Sequence, residues 1–111
     1  MQLPDDPILR ELAPEFCVCW RNDLGTVLPN ILAAQNQSEL YRFGHTLKGS
    51  ARQFGFAELA DCGAELMQHA SLGAWDAVPD TVARISALLE SLESHLRANG
   101  MTIPDGSSTN V

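Results

Sequence analysis

Gly44-His45-Thr46-Leu47-Lys48-Gly49-Ser50-Ala51, with Gly55 shortly beyond, is the stretch around which the rest of the chain is organised. Set on a helix at about 100° per residue, Leu40, Phe43, Leu47, Ala51 and Phe54 gather on one side, and His45, Lys48, Gly49 and Arg52 on the other. A single apolar face at this spacing means a helix with its back to a core, which turns the imidazole of His45 toward water. Lys48, the only lysine in the chain, stands one turn along. Gly49 removes the side chain that would otherwise stand beside the ring. A glycine inside a helix costs about 1 kcal/mol relative to alanine, so its position next to an exposed histidine predicts close approach by another molecule.

Working outward, the neighbouring segments also read as helices. Asp5 and Asp6 between Pro4 and Pro7 suit a capped start to a short first helix near residues 6–13, with Pro14 forcing a break. From Glu15 to about Gln35, Phe16, Cys17, Trp20, Leu24, Val27, Leu28, Ile31 and Leu32 recur at three- and four-residue steps. Pro29 interrupts that run, so either the helix kinks there or two shorter helices meet near Asp23 to Thr26. Ser38 with Glu39 is expected to cap the histidine helix, about Glu39 to Gln53, and Gly55 to end it in a left-handed conformation. A helix from about Phe56 to Ala70 follows after a very short link and must fold back antiparallel, with Ala60 and Gly63 small enough for close packing.

After the turn Ser71-Leu72-Gly73, Asp76 is expected to cap a last helix with Pro79 in its first turn. Val78, Val82, Ile85, Leu89, Leu92 and Leu96 form its seam, and Asn99-Gly100 its stop. The pattern predicts an all-α fold, an antiparallel four-helix bundle with a short extra N-terminal helix across one end. Residues 1–100 form the domain, and residues 101–111 are expected to be a loose tail.

Composition agrees and excludes several classes of function. The chain has 111 residues, 45% of them hydrophobic but only 6% aromatic, which favours an aliphatic helical core over a β-sandwich. Its formal net charge of −7 opposes binding to nucleic acid or an anionic membrane, so protein partners are expected. No apolar run reaches the length of a membrane span and no signal peptide is evident, which suggests a cytoplasmic protein. Cys17, Cys19 and Cys62 lack metal-site spacing and read as small buried apolar residues. His69 and His95 read as ordinary helical histidines.

The run His-x-x-Lys-Gly-Ser-Ala from His45 to Ala51, with Gly55 and Leu59 beyond it, resembles the signature of histidine-containing phosphotransfer (HPt) domains of two-component phosphorelays. The resemblance implies a monomeric helical bundle in which His45 carries a phosphoryl group between the aspartates of receiver domains, one in a hybrid sensor kinase and one in a response regulator. Lys48 would stabilise the phosphoryl charge, and Tyr41, Arg42, Gly49 and Arg52 would meet the partner. The chain shows no Gly-rich phosphate loop and no kinase nucleotide motif. It is therefore expected to be a carrier and not an enzyme, to bind no cofactor or metal of its own, and to meet a divalent metal, Mg, held by the receiver domain. Many family members place Glu or Gln on the next helix to hold the ring. This chain has Met67 there, and Gln68 is the nearest candidate to orient His45. The rival reading is an adaptor of the same fold that regulates a kinase or another enzyme by docking, without obligatory phosphorylation. A metal-binding bundle would need inward carboxylates and a Glu-x-x-His pattern, and neither is present.

Overall fold

The computed structural model describes residues 2–104. Five α-helices follow in order: α1 Pro7–Gly25, α2 Val27–Ala34, α3 Gln37–Phe54, α4 Ala57–Leu72 and α5 Val78–Ala98, with a single 3₁₀ turn at Trp75–Ala77 before the last. Four are long, and the short one is α2, not an N-terminal helix as expected. Asp6 caps α1, its Oδ1 accepting from the Ile8 N–H at 2.8 Å. The helix then continues past Pro14. Proline withholds one donor, from the carbonyl of Arg10, at a cost of about 3 kcal/mol. Ala13, Pro14, Phe16, Cys17 and Trp20 are all buried here, and burying one large apolar side chain recovers about 1.5–3 kcal/mol, so packing overrides the break.

Of the two alternatives at Pro29, the chain takes two helices. Thr26 leaves the helical region at φ −123°, ψ −55°, and its hydroxyl donates to the Asn22 carbonyl at 2.8 Å. Pro29 then falls in the first turn of α2, where a missing N–H leaves nothing unpaired. Asn36, not Ser38, caps α3, its side-chain oxygen accepting from the Glu39 N–H at 3.1 Å. Gly55 closes α3 at φ +80° as expected, and Gly73 closes α4 at φ +64°. Asp76 lies in the 3₁₀ turn and does not cap α5, whose start has no side-chain cap.

The bundle is antiparallel. Gly44 of α3 abuts Gly63, Leu66 and Met67 of α4, Glu65 and His69 of α4 reach Arg84 and Thr81 of α5, and Arg21 of α1 reaches Glu93 of α5. Its core is aliphatic, with Leu28, Leu40, Leu47, Leu59, Leu66, Ile85, Leu89, Leu92 and Leu96 almost fully enclosed. An aromatic cluster fastens α1 to the buried side of α3: Phe16 lies 4.9 Å from Phe54 and 5.2 Å from Phe56, and Trp20 5.4 Å from Phe43, ring centre to ring centre. That contact fixes which face of α3 is left to solvent.

Cys17 and Cys62 are buried as expected, whereas Cys19 is exposed. On α1, Cys17 and Cys19 point about 200° apart, so only one can face the core. Burial pushes the Cys17 thiol up to about 12. The expected tail starts later than residue 101, because Met101 and Ile103 pack against the core. The rest of that tail, residues 105–111, lies outside the described residues.

Candidate functional site

The sequence of α3 divides it into a buried and an exposed side, and the structure keeps that division. Leu40, Phe43, Gly44, Leu47 and Ala51 are buried, while Tyr41, Arg42, His45, Gly49 and Arg52 are exposed and Lys48 is half-buried. Because the backbones of Gly44 and Lys48 lie against Gly63, the side of α3 toward α4 is known. At about 100° per residue, Tyr41, His45, Lys48 and Arg52 make one stripe on that side. Arg42 stands to the other side of His45, where it borders the cleft beside the ring and, with Glu39, Phe43 and Thr46, lines a groove against Val27 and Ile31 of α2.

The two glycines beside His45 do different work. A Cβ on Gly44 would come within 2.6 Å of the Gly63 carbonyl oxygen, closer than real side chains approach, so Gly44 and Gly63 together set the α3–α4 distance. Gly63 was legible as a close-approach residue, and Gly44 was not. A Cβ on Gly49 would meet nothing within 4 Å. Nothing inside the fold requires that glycine, and its bare backbone faces outward.

The cations also differ. Arg42 Nη1 pairs with Glu39 Oε1 at 3.4 Å, whereas Lys48 and Arg52 have no ion-pair partner among the described residues. No hydrogen bond among the described residues reaches the His45 ring. Gln68 is exposed and makes none with it, and Met67 is half-buried. His45 opens on one side to a cleft of about 580 Å³ lined by Gln37, Ser38, Tyr41, Arg42, Ala70 and Ser71. Across its end the Gln37 amide donates to the Ala70 carbonyl at 2.8 Å. Sequence reasoning did not find this cleft: Gln37 and Ser71 are plain polar residues until the hairpin brings them together.

Away from that face, His69 Nε2 lies 3.0 Å from Thr81 Oγ1, and the Thr81 hydroxyl donates to Glu65 Oε1 at 3.3 Å. Its one proton is thus committed, and the Thr81 oxygen is left to accept from the His69 ring. Arg84 pairs with the same Glu65 oxygen and holds that carboxyl below its ordinary range. This is a tie between α4 and α5. Among the described residues, no three His, Cys, Asp or Glu side chains gather as a metal site, and no helix is long and apolar enough to cross a membrane.

A half-exposed helical stripe with a histidine, two free cations and an outward glycine is a surface for meeting something, not an enclosed reaction pocket. Comparison with protein families identifies the surface's owner, since the family model of the Hpt domain matches residues 11–98. The chain belongs to the Hpt domain family. The match takes in α2, α3, α4, α5 and most of α1. No curated protein and no solved structure matches the chain. Hpt domains are phosphotransfer carriers of two-component signalling and work with receiver domains, and the all-α bundle found here is the architecture that role uses. In this Hpt domain His45 lies on α3 and is exposed to solvent.

Proposed function

We propose that His45 is the phosphoacceptor of a phosphorelay, taking a phosphoryl group from the aspartate of one receiver domain and giving it to that of another. The observation that carries this reading is the exposed ring with Lys48 one turn along, Arg52 two turns along and no side chain at Gly49. A deprotonated imidazole nitrogen is a good nucleophile near neutral pH. The lone pair of His45 Nε2 attacks phosphorus of an aspartyl phosphate, the N–P bond forms as the P–O bond to the carboxylate breaks, and the aspartate leaves as its anion. Return of the group to a second receiver reverses these bonds. The transition state is mostly separated charge, so positioning and cations matter more than covalent help. Lys48 neutralises the phosphoryl oxygens, and Gly49 lets the receiver backbone come close, with Arg52 and Tyr41 at the edge of the contact.

In this reading the chain is a monomeric cytoplasmic carrier between a hybrid sensor kinase and a response regulator. It binds no nucleotide, and the divalent metal, Mg, belongs to the receiver domain, where it stabilises the acyl phosphate oxygens. The test is incubation with receiver domains charged by acetyl phosphate. Acid-labile, base-stable label is expected on the wild-type chain and none on His45→Gln. Docking of a receiver domain with no label on the wild-type chain would overturn the carrier reading and leave the docking adaptor.

A further inference from the structure

The charge on this molecule is segregated. From Leu40 to Ala57 there is no acidic residue, and α3 carries Arg42, Lys48 and Arg52 against Glu39 alone, a net +2 in a chain of −7, which leaves −9 elsewhere. The α4 positions flanking the same face, Ala64, Met67, Gln68 and Ser71, are uncharged. Two other cations are tied down across the bundle, Arg21 by Glu93 and Arg84 by Glu65. Within α3 the cations are not equivalent, because Arg42 sits 3.4 Å from Glu39. That exposed pair stabilises little by itself. To a partner farther off than the pair's own separation but within the Debye length, about 8–10 Å at ordinary salt, it is nonetheless close to a neutral object, while Lys48 and Arg52 are one turn apart with no carboxylate between them.

We propose that Lys48 and Arg52 steer a protein face of clustered carboxylates onto His45, and that Glu39 cancels Arg42 so that Arg42 takes no part. The proposal rests on the carrier reading and adds the partner's charge and the residues that sense it. The chain outside α3 carries a net −9 and repels such a partner, so this cationic stripe sets orientation as well as rate. Charge steering of this kind acts on association, is weakened by salt, and is insensitive to how the ring is held.

The experiment measures the association rate constant with a receiver domain over a range of NaCl concentrations, by interferometry, with the rate of label transfer recorded beside it. The wild-type rate constant is expected to fall steadily with salt. Arg52→Gln and Lys48→Gln should each lower it about threefold at low salt and flatten the salt dependence. Arg42→Gln, which uncovers the Glu39 carboxylate, should lower it about twofold. Glu39→Gln, which uncovers the Arg42 charge, should raise it about twofold and steepen the salt dependence. A merely structural role for Arg52 gives no such gain from Glu39→Gln. No gain from Glu39→Gln, or a wild-type rate constant indifferent to salt, overturns the steering while label on His45 leaves the carrier reading standing. Failure of every receiver domain of the source organism to bind overturns both.

Discussion

Two glycines five residues apart on α3 show what a residue contributes when its side chain is a hydrogen. At Gly44 the missing Cβ is required from within, by a carbonyl oxygen 2.6 Å from where it would be. At Gly49 no neighbour requires it, and the helix carries the propensity cost without any return in packing. Gly49→Gln should therefore keep or slightly raise the melting temperature, by up to about 0.5–1 kcal/mol of stability, while slowing phosphotransfer at least tenfold. Unchanged transfer would mean that nothing approaches there. Gly44→Ala should do the opposite, costing about 1–3 kcal/mol through forced separation of α3 and α4, as read by thermal unfolding. From the sequence, Gly49 was legible because it lies beside an exposed histidine. Gly44 was not, since the oxygen that excludes its side chain belongs to another helix.

Helices were legible as periodicities, but their ends depended on which local signal prevailed. Pro14 and Pro29 look alike in the sequence, each inside a run of apolar residues at helical spacing. Pro14 is absorbed by α1 because its flanking residues are buried, while Pro29 sits at the start of α2 because Thr26 has already ended the preceding helix. Position relative to the first turn decides what a proline does, and that position is set by packing the sequence does not display. The same holds for the cap of α3. Asn36 and Ser38 are both good caps by type, and the carboxamide at Asn36 is the one that meets a free donor, the Glu39 N–H. Asn36→Ala is expected to cost about 1 kcal/mol and Ser38→Ala close to nothing, measured by urea unfolding. Equal losses would mean that the cap is shared. Loss at Asn36 should also loosen the start of the helix that bears His45, in the turn that carries Gln37 and the floor of the cleft.

For the molecule as a whole, α5 is the helix that ties α1 to α4. Its leucine seam was plain in the sequence, but Thr81 and Glu93, polar residues buried on the same helix, were not. Their partners are remote: Glu93 takes two hydrogen bonds from Arg21 of α1, at 2.6 and 2.9 Å, and Thr81 joins Glu65 and His69 of α4. Periodicity reports which face is buried and is silent on which buried polar group will find its complement in another helix. The Arg21–Glu93 pair lets this be tested without touching the His45 face. Glu93 is 8% exposed and Arg21 remains far more open to water. Removing the arginine leaves a buried carboxylate unpaired, whereas removing both leaves an apolar contact between α1 and α5. Arg21→Met should therefore destabilise by about 2 kcal/mol, less than the roughly 3–5 kcal/mol of a fully buried pair because water reaches the arginine. Adding Glu93→Leu should recover most of that loss, a non-additivity expected for two residues in direct contact. In every folded variant the transfer rate should match wild type, because neither residue lies on α3. If the double variant is less stable than Arg21→Met alone, the ion pair orders the bundle in a way that apolar packing cannot replace. If transfer falls along with stability, α5 is coupled to the His45 face and the bundle is not the rigid support for that helix that its core implies.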